Sequence, residues 1–314
     1  MKILITDGIA EEGAAALRKE HEVVEKDLSP QELPAEIGKY DALIVRSRSK
    51  VTAEVIEKGA NLKVIGRAGI GVDNIDVAAA TRKGIMVVNA PQGSTVSVAE
   101  LALGLMLSLA RGLPRADLTM HVGKWEKKGF MGTELCGKTL GFIGAGRIGG
   151  EVAKRAQAFG MRTVAYDPYL PKEAAENMGI KLVNLDTVLK DSDYITIHAM
   201  LTPETKGMVN AMAIEKMKRT VFIVNCARGG IIDEKALCEA LKSKRIAGAA
   251  LDVYESEPPA NSPLLTLDNI ILTPHIGAST HEGQERAGVM VAEQVLKALR
   301  GERPDAVVNK EVLK

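Results

Sequence analysis

Short runs of Ile, Val and Leu alternate along this chain with segments whose apolar residues recur every three or four positions, and the alternation restarts after residue 130. The runs KILITD, HEVVEKD, DALIVRS, LKVIGRAG and IMVVNAP predict strands, and EEGAAALRKE, PAEIGKY, TAEVIEKGA and IDVAAATRKG between them predict helices. A second series, KTLGFIG, RTVAYD, KLVN, YITIH, TVFIVNCA, IAGAALDV and NIILTPH, repeats the pattern with further helices in between. Strands that are apolar almost throughout and joined by helices belong to parallel sheets covered on both faces. The predicted class is α/β, with two doubly wound parallel-sheet domains.

Between the two series, the stretch from about residue 95 to 121 reads as one inter-domain helix. Ser94 or Thr95 is suited to cap its start, and Leu101, Leu105, Leu109 and Leu113 recur at four-residue spacing. It holds more apolar residues than one buried face requires, which suggests either packing between the domains or a contact between subunits. The final helix, STHEGQERAGVMVAEQVLKALRGE, is followed by AVVN, a run suited to return the chain to the first sheet. The domains are therefore expected at 1–93 with 285–314, and at 94–284.

The 314 residues are 46% hydrophobic, enough for two cores, and 41 Lys and Arg against 40 Asp and Glu leave a formal net charge of +1. No global field favours nucleic acid or an anionic membrane, so any anion site must be local. Cys136, Cys226 and Cys238 form no CxxC pair and have no His at metal-ligand spacing, so no metal site is expected. The opening MKILITDGIAEEG lacks the pattern of a secretion signal, and no apolar run approaches the roughly 18 residues of a membrane span. A reduced, cytoplasmic setting is the expectation.

In GFIGAGRIGGEVAKRAQAFGMRTVAYD, Gly144, Gly146 and Gly149 fall between an apolar strand and a helix, and Asp167 closes the next strand. Glycines so spaced mark many tight turns, but this context is that of a dinucleotide-binding Rossmann unit. Gly144 would permit the turn, Gly146 would let the backbone approach a pyrophosphate, and Gly149 would let helix and strand meet closely. Arg147 and Ile148 open the helix, whose amide donors and positive dipole end suit phosphates. Asp167 can accept hydrogen bonds from both ribose hydroxyls and would repel an added phosphate. The following PYLPK offers no arginine to hold one, so NAD is expected rather than NADP.

Ligands of a doubly wound sheet gather beyond the carboxyl ends of its strands. Arg228 ends TVFIVNCA, Asp252 ends IAGAALDV with Glu255 and Glu257 just after it, and His275 ends NIILTPH. Oxidation of an alcohol by NAD needs a base for the hydroxyl proton, a cation to orient an acidic substrate, and a group that tunes the base. Each residue alone has a plainer explanation: a capping histidine, an arginine paired with a nearby carboxylate, a solvated acidic turn. Their occurrence in three neighbouring βα units favours a shared site, while spacing alone cannot choose between Glu255 and Glu257.

The segments GFIGAGRIGGEVA, NCARGGIIDEKAL, AGAALDVYESEPP and TPHIGAST together resemble the D-isomer-specific 2-hydroxyacid dehydrogenases, and the likeness extends through VRSRSKVT, GRAGIGVDNID and AELALGLMLSLAR. The resemblance implies a Rossmann NAD-binding domain beside a flavodoxin-like substrate domain. It implies a catalytic set of Arg228, Glu257 and His275, with Arg228 gripping a substrate carboxylate, His275 moving the hydroxyl proton and Glu257 orienting the imidazole. Asp252 would contact the nicotinamide end, Cys226 and Ala227 would offer backbone groups to the cofactor, and Ala278 would edge its pocket. His198 also ends a strand and is expected to be structural or to line the cofactor.

A phosphorylated 2-hydroxy acid needs positive charge several ångströms from the reacting carbon. Arg46, Arg48 and Lys50 alternate after a first-domain strand, and Arg67 stands beside a glycine turn. By resemblance Arg46 is the first choice for the phosphate and Arg67 the second, with the amides of Gly69 and Ile70 for the carboxylate and Lys127 or Lys128 as further contacts, in some relatives from a neighbouring subunit. A homodimer or homotetramer is expected. The alternatives are a member acting on an unphosphorylated hydroxy or keto acid, and an NAD-sensing binding protein akin to co-repressors of this fold. Many relatives continue into a regulatory amino-acid-binding domain; this chain stops at VVNKEVLK, so serine feedback is not expected.

Overall fold

The computed structural model describes residues 1–313. The chain forms two compact units, Met1–Thr95 with Ala278–Lys314, and Val96–Gly277. The second crossing thus comes at 277/278 rather than 284/285, because the last helix belongs entirely to the first unit.

In the first unit, strands β1 (Lys2–Ile5), β2 (Glu22–Glu25), β3 (Ala42–Val45), β4 (Val64–Arg67) and β5 (Met86–Asn89) alternate with helices α1 (Glu11–Arg18), α2 (Glu32–Glu36), α3 (Ala53–Lys58) and α4 (Val77–Arg82). All pairings are parallel, in the order β2-β1-β3-β4-β5, the flavodoxin-like arrangement. One face of the sheet is covered through Leu33, Ile37, Val55, Ile56, Ala79 and Ala80. The other is covered through Ala14 and Leu17 together with Val291 and Val295 of the last helix, α12 (His281–Leu299). A methyl group on Gly13 would stand 2.5 Å from the Gly288 carbonyl, so α1 and α12 cross at backbone contact. The AVVN run does return to this sheet: Val307 bridges Val88 in antiparallel sense, and the Asn309 side chain accepts the Val87 amide at 2.8 Å.

In the second unit, the expected single helix is two, α5 (Thr95–Arg111) and α6 (Leu113–His121). They meet at a 65° bend where Gly112 takes φ +60°. The leucine spacing runs through this break, but the left-handed turn sends the two segments to different environments. α5 buries Val98, Ala102, Leu105 and Met106 in the core, whereas α6 has no buried residue. No single helix among the described residues is long and apolar enough to cross a membrane.

The remaining strands are β6 (Thr139–Ile143), β7 (Arg162–Tyr166), β8 (Lys181–Leu182), β9 (Tyr194–Ile197), β10 (Phe222–Asn225), β11 (Gly248–Leu251) and β12 (Ile270–Leu272). With helices α7 (Arg147–Ala158), α8 (Lys172–Asn177), α9 (Leu185–Asp191), α10 (Ala211–Glu215) and α11 (Glu234–Lys242) they build a parallel sheet ordered β12-β11-β10-β9-β6-β7-β8. Side-chain caps start several of these helices: Asn184 accepts the Thr187 amide at 2.8 Å and Asp233 the Ala236 amide at 3.0 Å. The chain reverses direction across the sheet between β6 and β9, the place where such folds open a crevice.

Candidate active site

At the carboxyl end of β6, Gly144 takes φ +80°, and a side chain there would come within 2.8 Å of the Ala199 amide nitrogen. A methyl group on Gly149 would lie 3.2 Å from the Gly144 carbonyl, so α7 starts hard against the turn. At Gly146, the N-cap of α7, nothing lies within 4 Å of where a side chain would begin. That open cradle over a helix N-terminus, bordered by the exposed Arg147 and half-buried Ile148, is the shape a diphosphate requires. Asp167 sits beside it: Oδ2 accepts the Ala145 amide at 2.9 Å, and Oδ1 accepts the amides of Tyr169 and Leu170 at 2.9 and 3.1 Å. These residues fit a dinucleotide. Across the crevice, His198 Nε2 is 2.8 Å from the Thr196 hydroxyl and Nδ1 is buried without a partner among the described residues. Burial pushes its pKa down to about 4, so the ring is neutral at neutral pH.

Arg228, Glu257 and His275 follow β10, β11 and β12, three adjacent parallel strands, and so all leave the same edge of the sheet. Asn225, fully buried at the end of β10, shapes the first loop: its side chain accepts the Ala227 amide at 3.0 Å and donates to the Arg228 carbonyl at 2.9 Å. The Arg228 guanidinium donates to the Ala227 carbonyl at 2.7 Å. Within the loop, the Ala227 amide is thus bound to Asn225 and its carbonyl to Arg228. The Cys226 thiol is buried, and burial together with the Asp252 charge pushes its pKa up, leaving an inert side chain. Gly229 is required by its own chain, since a side chain would meet the Tyr254 carbonyl at 1.8 Å.

The two glutamates of VYESEPP, equivalent by spacing, part in the fold. Glu257 Oε2 lies 2.7 Å from His275 Nδ1, and its Oε1 accepts the Tyr254 amide at 3.2 Å. Glu255 instead turns to α11, where it accepts the Glu234 amide at 3.2 Å. His275 holds a left-handed backbone, φ +53°, and the loop around it is organised by Asp252. That carboxylate, 1% exposed, accepts the Thr273 hydroxyl at 2.6 Å and the amides of Ile276 and Gly277 at 2.8 Å each. Tyr254 adds a bond from its hydroxyl to the Thr273 carbonyl at 2.8 Å. Ala278, expected with the cofactor residues, is the first residue of the return segment of the other unit.

The substrate candidates of the first unit stand at the carboxyl ends of β3 and β4. The loop after β3 is clasped from two sides. Asp7 accepts the amides of Arg46 and Ser49 at 2.8 and 3.0 Å, and Asn74 donates to the carbonyls of the same two residues at 2.8 and 2.7 Å. Arg46 uses only its backbone in these bonds, whereas the Arg48 side chain is engaged with Asp27 at 2.6 Å and with the Thr6 carbonyl at 2.7 Å. The Arg67 guanidinium lies over Gly69, whose side chain, if it had one, would begin 1.5 Å from Nη1. The Gly69 amide donates to the Arg67 carbonyl at 2.8 Å, so of the two amides expected for a carboxylate it is already committed, while Ile70 accepts from Asn89 through its carbonyl.

Lys127 is exposed on a short 3-10 turn, Lys127–Gly129. Gly129, Phe130 and Met131 line a cavity of about 590 Å³ together with Lys138, Asp193, Thr220, Ala247 and Asn269, the residues that precede β6, β9, β10, β11 and β12. This is the amino edge of the sheet, opposite to the loops of Arg228, Glu257 and His275. Lys127 begins the turn that leads into this lining. Among the described residues no group of three or more His, Cys, Asp or Glu is arranged to hold a metal ion.

Residues 103–277 match the model of the D-isomer specific 2-hydroxyacid dehydrogenase, NAD binding domain. The chain belongs to this family. The D-isomer specific 2-hydroxyacid dehydrogenases include a D-3-phosphoglycerate dehydrogenase of Methanocaldococcus jannaschii, 57% identical over 311 residues, a match covering 98% of this chain and 59% of that protein. The chain thus spans less than two thirds of the length of that relative. A hydroxypyruvate reductase of Thermotoga maritima is 50% identical over 303 residues, covering 95% of this chain and 98% of that one. Among solved structures, a D-lactate dehydrogenase from Aquifex aeolicus complexed with NAD and lactic acid superposes with a TM-score of 0.86 at 30% identity, covering 98% of this chain and 99% of that chain. The glycine crevice lies within the stretch that matches the NAD binding domain of this family.

Proposed function

We propose that the chain carries the catalytic part of a D-3-phosphoglycerate dehydrogenase, which oxidises D-3-phosphoglycerate to 3-phosphohydroxypyruvate and opens the phosphorylated route to serine. The observation that carries the reading is the 2.7 Å contact of His275 with Glu257, on loops next to the one bearing Arg228. The 57% identical phosphoglycerate dehydrogenase supports the substrate. NAD held over Gly144, Gly146 and Gly149 would supply the hydride acceptor for C2. With Nδ1 turned to Glu257, His275 presents Nε2 to take the hydroxyl proton, and Glu257 keeps the ring in that orientation. Arg228 grips the carboxylate through two parallel charge-assisted bonds and aims the C2 hydrogen. Arg46, with Arg67 second, takes the phosphate, and the Ile70 amide supports the carboxylate.

The test is NADH formation from 3-phosphoglycerate with removal of the keto product. A large loss of kcat/KM on going to glycerate is expected, and equal values would defeat the assignment. A second reading, hydroxypyruvate reduction, is favoured by the Thermotoga relative, whose whole length this chain nearly covers. Hydroxypyruvate turnover exceeding that of its phosphorylated counterpart would establish it.

The same reading includes a second copy of the chain against α6 and the segment after it. Leu118, Met120, Val122, Trp125 and Met131 are 54–96% exposed there, a face that water alone covers poorly. Lys127, on this face, would then serve a neighbouring subunit's substrate. Sedimentation of the protein and of a Trp125→Glu variant tests it, with a monomeric wild type as the contrary result. Two buried free thiols, Cys226 and Cys238, suit a reducing, cytoplasmic setting.

A further inference from the structure

Glu234 and Glu255 are 21 positions apart and cap each other. The Glu234 side chain accepts the Glu255 amide at 2.6 Å, and the Glu255 side chain accepts the Glu234 amide at 3.2 Å. Glu234 is the first residue of α11, and that helix already has its cap in Asp233. The pair sets two carboxylates close together. Burial raises the Glu234 pKa, the hydrogen bond from the Glu255 amide works against it, and the neighbouring Glu255 charge adds a smaller push upward. Glu234 is half-buried and Glu255 exposed, and two carboxylates held this close repel each other. The start of α11 does not need the pair, since Asp233 already caps it.

Their position supplies a reason. The loop from Arg228 to Asp233 rests directly on the turn that starts at Tyr254, as the 1.8 Å approach at Gly229 requires. The clasp pins that turn at Glu255, one residue before Ser256 and two before Glu257. Glu257 is then bracketed between the Tyr254 amide on one oxygen and His275 Nδ1 on the other. We propose that Glu234 and Glu255 are positioning residues for the Glu257–His275 pair: they touch neither substrate nor cofactor, and they hold the turn in the register that keeps the carboxylate on the imidazole.

The inference rests on the dehydrogenase reading for its kinetic arm only, because the His275 tautomer can be observed without substrate. Histidine 15N spectra of the full chain are recorded for wild type, Glu234→Ala and Glu234→Gln, with His275→Asn for assignment. Wild type and Glu234→Gln, whose amide oxygen still accepts the Glu255 amide, should show one tautomer with the proton on Nδ1. Glu234→Ala should show averaged shifts and a kcat lowered about tenfold or more, with KM for NAD unchanged. If Glu234→Ala does not fold, Glu255→Ala carries the same expectations. Wild-type spectra and kcat in the alanine variant overturn the proposal, as does Glu234→Gln behaving like Glu234→Ala. Absence of 3-phosphoglycerate turnover in wild type would strike the substrate assignment while leaving the spectroscopic result standing.

Discussion

The amide of Gly277 donates to the buried Oδ2 of Asp252 at 2.8 Å. With the Ile276 amide on Oδ1, this bond fixes the two residues that follow His275 and so sustains the left-handed backbone from which the imidazole projects. Asp252→Ala should remove the acceptor of the buried Gly277 amide, of the Ile276 amide and of the Thr273 hydroxyl, which keeps only its long bond to the Leu251 carbonyl. A loss of about 3 kcal/mol in the unfolding of the second unit is expected, with kcat falling further than binding of NAD. Chemical denaturation and steady-state kinetics measure both; an unchanged midpoint would mean that the loop is held otherwise.

Arg228→Lys keeps the charge and removes the planar fork. Under the proposed role kcat/KM should drop about a hundredfold, because a point charge does not reproduce two parallel bonds to a carboxylate. Near-normal turnover would return Arg228 to a purely structural part.

Gly144 and Gly146 should separate stability from cofactor affinity. Gly144→Ala meets both a positive φ and the Ala199 amide, and should lower the melting temperature. Gly146→Ala enters open space with φ −69°, so the apoprotein should melt normally while NAD binds at least about tenfold more weakly. Calorimetry with and without NAD distinguishes the two. Equal NAD affinity in Gly146→Ala would remove the diphosphate from this cradle.

Under the proposed role of Arg46, Asp7 links substrate recognition to acid stability. Burial alone would raise its pKa, but hydrogen bonds from Ser49 and Arg46 and the Arg48 charge outweigh it and hold the pKa below 3.8. A carboxylate whose pKa is lower in the fold contributes its stability in full above 3.8 and loses it as the pH falls below that value. Asp7→Asn should therefore flatten the decline of the first unit's stability below about pH 4. Because Asp7 holds the Arg46 amide, the variant should also raise KM for 3-phosphoglycerate with KM for NAD unaffected. A wild-type acid slope together with a wild-type KM would show that the loop does not depend on Asp7.

The strands were legible because parallel, doubly covered sheets demand apolar residues at nearly every position, and a glycine turn between strand and helix has few other uses. The bend at Gly112 was not, since leucine spacing continues across a glycine whose left-handed φ is a three-dimensional choice. Glu255 and Glu257 share one turn, and only their distant partners, Glu234 and His275, tell them apart. The same holds for Asn225, Tyr254 and Asn74, which shape the functional loops through bonds to backbone atoms. Asn225 alone left a trace, as a turn-forming amide at the end of an apolar strand. Basic charge at Lys127 and Lys128 does not by itself say which edge of a sheet, or which subunit, they serve.

The return of the last segment to β5 has a consequence for the order of assembly during synthesis. Val291 and Val295 of α12 lie against the bare backbone of Gly66, and Asn309 ties down β5, yet these residues leave the ribosome after the whole second unit. The nascent first sheet must wait with one apolar face covered by α1 alone while the unit inserted within it is made and can already fold.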